Sequence, residues 1–323
     1  MNAVAGPTAE GVECSSVTSR TILISVSVVA LVSLGATARS APRQTTTFRT
    51  GVDLVNLGVT VTDKKGNLVM DLVAEDFEVT EDGRRQRVTY FAAGDRVGPE
   101  LHLGLLLDVS ESMGEDIGFT RTAAIKFLNT LTDAVDITVV DFDTQVRVGR
   151  YGQSEFARLI ERIRQQKTDG NTALYDAIGV YLDGAAGQNG RKIMLLYTDG
   201  GDTRSALRFS ELVNLLKASD ATVYVIGQLE HQTQTSKTAQ RPILQQIAEA
   251  TGGQAFFPLS VKNLDGVYDR VIAEIRAQYT LGYLSTNDKL DGGWRKVDIK
   301  VVRKDGDYRI RSRKGYYALY KRP

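Results

Sequence analysis

Acidic and hydroxyl side chains gather where two apolar runs end. In the first, Leu105-Leu106-Leu107 leads into Asp108-Val109-Ser110-Glu111-Ser112. In the second, Ile193-Met194-Leu195-Leu196-Tyr197-Thr198 leads into Asp199-Gly200, and between the two Asp169-Gly170-Asn171-Thr172 sets a threonine just before a helical pattern. Short apolar runs bounded by turn residues read as buried strands, and open α/β sheets place ligand sites beyond the carboxyl ends of their strands. Asp108, Ser110, Ser112, Thr172 and Asp199 supply two carboxylates and three hydroxyls. Such hard oxygen donors suit Mg²⁺, or Mn²⁺ or Ca²⁺, rather than zinc. Two carboxylates formally neutralise a divalent ion and hydroxyls add no charge, so an ion held this way can still accept an anionic oxygen from outside. Without the ion the two aspartates repel each other, by on the order of 3 kcal/mol at ~5 Å and an effective dielectric of ~20. Asp108, Ser110, Ser112 and Thr172 taken singly also suit a helix N-cap; five residues together at loop and strand ends favour the cation.

Other chemistries lack their groups. One cysteine, Cys14, and two histidines, His102 and His231, leave neither a Cys-rich zinc site nor a disulfide framework. Neither histidine has an evident partner in sequence, and both read as structural or solvent-exposed. A phosphoryl-transfer hydrolase with its nucleophile at Asp108 needs a second carboxylate two residues on as acid/base, and that position is Ser110. No phosphate-binding loop, nucleophile elbow or zinc-protease helix motif occurs. The chain reads as no enzyme. Asp141 and Asp143, after the run Ile137–Val140, read as solvated edge residues, with a second acidic pair as the alternative.

The elements that must hold the five residues follow from hydrophobic periodicity. Continuous apolar strands at Leu103–Leu107, Ile137–Val140, Ile193–Tyr197 and Thr222–Ile226 alternate with helical patterns near 116–131, 154–165, 173–186 and 207–218. A further helix falls near 241–250. The last shows apolar residues at Leu264, Val267, Tyr268, Val271, Ile272 and Ile275, one face of a 3.6-residue repeat. This alternation predicts an α/β fold, Rossmann-like and doubly wound around a mostly parallel sheet. On either side the period changes to two. Val55, Leu57, Val59 and Val61 alternate with polar residues, and Phe77–Thr80 and Val88–Phe91 flank an Asp82-Gly83 turn. Tyr279–Leu284 and Val297, Ile299 and Val301 repeat the strand pattern after the last helix. A small β module built from N- and C-terminal strands is expected, because either piece alone is marginal as a fold. Trp294 reads as packing for the C-terminal piece.

Asp108-x-Ser110-x-Ser112, with Thr172 and the Thr198-Asp199-Gly200 step, resembles the metal-ion-dependent adhesion site (MIDAS) of von Willebrand factor A (VWA) domains. The resemblance covers about residues 100–278. The flanking segments, among them Gln278-Tyr279-Thr280-Leu281-Gly282-Tyr283 and Arg313-Lys314-Gly315-Tyr316-Tyr317, resemble a bacterial exported VWFA-related group found in acidobacteria. The resemblance implies that Ser110, Ser112 and Thr172 contact the metal directly or nearly so, that Asp108 and Asp199 act directly or through water, and that the open position takes an Asp or Glu carboxylate from a protein partner. It implies an exported, metal-dependent adhesion module; a structural or envelope-assembly protein whose metal only stabilises the fold is the alternative.

The domain organisation that results is a leader at 1–38, a linker at 39–50, the N-terminal β module at 51–98, the VWA domain at 100–278 and a C-terminal β segment at 279–323. Within the leader, the apolar run 21–38 follows Arg20 and ends in Ala36-Thr37-Ala38, small residues suited to cleavage before Arg39. Export to the periplasm or medium is expected, with a membrane tether only if the segment stays uncleaved. Lys and Arg total 40 against 39 Asp and Glu; that balance gives no basic excess for nucleic acid. Hydrophobic residues at 42% suit a globular chain with a real core.

Overall fold

The structure, a computed structural model, describes residues 54–94, 98–260 and 263–320. The leader and linker lie outside the described residues. Among the described residues no helix is long and apolar enough to cross a membrane.

The central sheet has six strands: β5 (Leu101–Asp108), β6 (Ala134–Phe142), β7 (Val146–Gly152), β8 (Arg191–Thr198), β9 (Thr222–Gly227) and β10 (Gln254–Phe256). Their spatial order is β10-β9-β8-β5-β6-β7. All pairs are parallel except β6 with β7. Every residue of β5 and of β8 is buried, because helices cover both faces. On one face α1 (Ile117–Thr130), α2 (Phe156–Gln165) and α6 (Leu264–Ala277) pack Phe127, Leu159, Ile163, Tyr268 and Ile272 against Leu103, Leu105 and Leu107. On the other, α3 (Leu174–Ala185), α4 (Phe209–Ala218) and α5 (Gln234–Glu249) pack Ile178, Leu212, Leu216 and Ile247 against Leu106, Leu196 and Val225. Burying one such large aliphatic side chain contributes about 1.5–3 kcal/mol, so this two-sided core fixes where β5 and β8 end.

Strand order reverses at β5: the chain moves outward to β6 and β7, then crosses back to β8, β9 and β10. Connections leave β5 and β8 to opposite sides, which opens a crevice between their carboxyl ends.

The flanking strands form two antiparallel sheets. β1 (Leu54–Asp63) pairs with β11 (Tyr279–Leu284) and with β13 (Tyr308–Arg311), and β4 (Val88–Ala93) closes that sheet. The other runs β14 (Gly315–Tyr317), β12 (Trp294–Val301), β2 (Phe77–Glu81), β3 (Arg84–Gln86). N- and C-terminal segments thus interleave in both sheets. Between them lie Val55, Leu57, Val59, Val61, Val79, Leu281 and Tyr283, with Phe77, Phe91 and Tyr279 in ring contact. Trp294 stacks edge-on against Tyr317. The module grips the central domain through polar anchors. Arg311 Nη2 donates to the buried Glu274 of α6 at 2.6 Å, and Arg313 Nη1 to Ser219 O at 3.3 Å.

Several elements differ from the periodicity reading. The Asp82-Gly83 turn forms, with φ of +48° and +79°, but it joins β2 to the short β3. Val88–Phe91, read as the hairpin partner, crosses to the other sheet and pairs with β11. β7 and β10 were not anticipated, since Val146–Gly152 mixes two valines and a tyrosine with arginines and glycines without a sustained period of two, and β10 spans only three positions. α5 begins seven residues earlier than the apolar pattern near 241–250, at a Thr233 N-cap whose hydroxyl accepts from Ser236 N. Its first turns are polar and exposed, and Pro242 sits inside it. The last helix starts at Leu264.

Candidate metal site

Asp108 is the last residue of β5, and its carboxylate is fully buried. Ser110 donates to Asp108 Oδ1 twice, from its backbone N at 3.0 Å and from Oγ at 2.5 Å. Ser112 Oγ lies 3.1 Å from Ser110 Oγ. The alternate spacing thus brings the two hydroxyls together beside the first carboxylate, and Ser112 is the exposed member.

Across the crevice, Thr198 closes β8 and donates from Oγ1 to Asp108 Oδ2 at 2.6 Å. Gly200 takes a φ of +89°, which glycine adopts without steric cost. That turn aims the Gly200 N–H back at Thr198 Oγ1, at 3.0 Å, and leaves Asp199 at the mouth. Asp199 is 4% exposed; Gln232 Nε2 donates to its Oδ2 at 2.7 Å, and its Oδ1 has a long 3.4 Å contact from Gly201 N.

The third segment is tied to both. Asp169 N donates to Val109 O and Glu111 N to Gly170 O, while Thr203 N and Arg204 N both donate to Thr172 O. Thr172 N in turn donates to Thr203 Oγ1. The loop carrying Thr172 is therefore latched to the Asp108–Ser112 turn on one side and to the loop after Asp199 on the other. All five residues picked from sequence meet at one end of the sheet.

Electrostatics sets this cluster apart. Burial, then the neighbouring charge of Asp199, push the Asp108 carboxyl up to about 7, against the bonds from Ser110 and Thr198 that pull it down. Among the described residues, neither Asp108 nor Asp199 has a Lys or Arg among its hydrogen-bond or ion-pair partners. Asp141 and Asp143 form the contrast, and they correct the solvated-edge reading. Both are buried, and Arg147 bonds Asp141 at 2.8 Å and Asp143 at 2.6 Å. Arg162 donates to Asp141 as well, from Nε at 3.0 Å. At Asp141 and Asp143 guanidinium groups offset the buried charge. The Asp108–Asp199 pair has hydroxyls, amides and backbone N–H groups instead.

That donor set fits a hard divalent cation. Among the described residues no three His, Cys, Asp or Glu side chains converge on a common point, so hydroxyl oxygens and water would complete the shell of an ion held by Asp108 and Asp199. Softer metals that select thiolate or imidazole find neither here.

Both histidines have partners that sequence did not show. His102 lies at the opposite end of β5, with Nε2 2.8 Å from Asn189 O and Nδ1 3.1 Å from Asp136 Oδ1. His231 sits between Glu115 and Asp116, at 3.3 and 3.5 Å. Two site residues were missed. Thr198 carried a usable signal, a hydroxyl one position before Asp199 at a strand end. Gln232 carried none, lying in a polar loop 33 residues further on.

No curated protein matches the sequence. Solved structures with similarity include the PilB minor pilin from Streptococcus sanguinis, at 12% identity over 57% of this chain and 63% of that one, TM-score 0.47. A von Willebrand factor type A protein from Catenulispora acidiphila is 12% identical over 85% of this chain and 76% of that one, TM-score 0.46. The vWF domain of the type V pili tip protein Mfa5 from Porphyromonas gingivalis is 12% identical over 55% and 96%, TM-score 0.47. The chain thus spans less than two thirds of the first of these, and at such scores the likenesses carry no functional inference. Residues 102–270, about half of the chain, match the family model of the von Willebrand factor type A domain, and this chain belongs to that family.

Proposed function

We propose that this protein is a divalent-cation-dependent binding module whose ion, held by Asp108, Ser110, Ser112, Thr172 and Asp199, engages an Asp or Glu carboxylate of a protein partner. One observation carries the reading. Two buried carboxylates stand together with hydroxyl neighbours and no cationic side chain, while the other buried aspartate pair of the same sheet, Asp141 and Asp143, is held by arginine. A buried charge pair without a counter-charge is costly, and a divalent ion supplies one.

The residues divide the work. Asp108 and Asp199 provide charge. Ser110, Ser112 and Thr172 provide neutral oxygens that hold an ion without quenching it. Mg²⁺ is the ion the donor set suits first, with Mn²⁺ or Ca²⁺ as substitutes. When bound, the ion supplies an electrophilic position open to an outside carboxylate. With Ser110 two residues beyond Asp108, the crevice lacks the second carboxylate that phosphoryl transfer needs there, so the reading is binding rather than catalysis. Adhesion at the cell exterior agrees with the apolar leader run at 21–38.

The test uses acetate as a minimal carboxylate. With Mn²⁺-loaded protein, the acetate ¹³C resonance broadens beyond the level set by free Mn²⁺, and Asp108→Ala abolishes the excess. Mn²⁺ uptake without any excess broadening would leave the ion a structural role and overturn the carboxylate reading.

A further inference from the structure

Resting on the cation reading above, we infer that Gln232 is a positioning residue for the ion: its amide fixes one oxygen of Asp199 without bringing a counter-charge to that carboxylate. The geometry is specific. Gln232 Nε2 donates to Asp199 Oδ2 at 2.7 Å, and the other oxygen keeps only the 3.4 Å contact from Gly201 N. One oxygen is anchored and the other is available to a cation or its bound water.

The loop that presents Gln232 is held at several points. At its start, Gln228 N donates to Thr198 O at 2.9 Å, so the loop leaves β9 alongside the strand that delivers Asp199. Gln232 N closes a turn onto Leu229 O at 3.2 Å, and Lys237 Nζ donates to Glu230 O at 3.0 Å. Next to Gln232, His231 reaches Glu115 and Asp116 at the entry to α1, and Thr233 caps the sixteen-residue α5. These tethers fix the loop on the α1 side and the β8 side of the crevice together.

The chemistry of the amide is what singles the residue out. Asp199 needs an orienting donor, because a carboxylate free to rotate loses ordering entropy when it takes up an ion. A lysine or arginine would orient it equally well and cancel the charge that draws the cation, as Arg147 and Arg162 do at Asp141. A glutamine orients and cancels nothing. Outer partners of this kind set metal affinity by about 10–100-fold in characterised sites.

Three variants of the full chain, titrated with Mn²⁺ and melted in EDTA, test the inference. Gln232→Met keeps length and packing but loses the donor; its Mn²⁺ affinity falls about 10-fold or more, while its melt in EDTA stays within a degree or two of wild type. Gln232→Lys restores a donor and adds a charge; it binds Mn²⁺ more weakly than the Met variant. Gln234→Met, at the exposed start of α5, matches wild type. If Gln232 merely anchors its loop, Lys rescues the site by pairing with Asp199, and that result overturns the inference. So does Mn²⁺ affinity in Gln232→Met equal to wild type. Wild-type protein that takes up no Mn²⁺ overturns the cation reading itself.

Discussion

Replacing Asp108 by Asn should stabilise the metal-free protein at alkaline pH and scarcely at all in acid. The folded chain holds the Asp108 proton up to about pH 7, whereas an unfolded chain releases it near the usual 3.8. A group whose folded pKa lies above its unfolded one costs stability as pH rises between the two values, because the folded state then binds more protons. At pH 5 the cost has begun; by pH 8 it is complete. The two units between pH 5 and about 7, at 1.36 kcal/mol each, give about 3 kcal/mol. Asn has the same shape, accepts the Ser110 bonds and carries no charge, so its stability advantage over wild type should grow by about 3 kcal/mol from pH 5 to pH 8. Taking the difference between the two proteins cancels the other titrating groups. Urea denaturation followed by circular dichroism in EDTA measures it at both pH values. With saturating Mg²⁺ the ranking should reverse, since ligation stabilises only the wild type. An Asn advantage in EDTA that stays constant or shrinks toward pH 8 would refute the reasoning about this carboxylate.

Other substitutions separate site from scaffold. Thr198→Val removes the donor to Asp108 Oδ2 and the acceptor of Gly200 N–H; it should cost about 1–3 kcal/mol in EDTA and weaken Mg²⁺ binding about 10-fold, read by calorimetry. Arg162→Leu strips one of two guanidinium partners from the buried Asp141; a loss of about 3 kcal/mol is expected with Mg²⁺ affinity unchanged. Arg311→Met leaves Glu274, 1% exposed, with the 3.6 Å contact to Arg270 as its remaining ion pair among the described residues; a loss of about 2 kcal/mol is expected in denaturant melts, again without change at the cation site.

Much of this was legible in the chain itself, for identifiable reasons. β5, β6, β8 and β9 are continuous apolar runs because both their faces are covered, and α6 shows its stripe because one face alone is covered. The same patterns located Asp108 and Asp199, since a residue that ends a buried strand must sit at the crevice. What stayed hidden depends on contacts distant in sequence. Nothing local to Arg87-Val88 announces that the strand leaves one sheet for the other. Asp141 and Asp143 look solvated until Arg147 and Arg162 fold over them. Gln232 acquires meaning only when the turn after β9 comes to rest beside Asp199.

The most direct measurement is a calorimetric titration of Mg²⁺ and Mn²⁺ into the purified chain at pH 8, after EDTA treatment, for wild type, Asp108→Ala, Asp199→Ala and Arg162→Leu. One ion per chain is predicted for wild type and for Arg162→Leu, with binding lost in both aspartate variants. Absence of uptake in wild type, or uptake that survives both aspartate substitutions, would contradict the account.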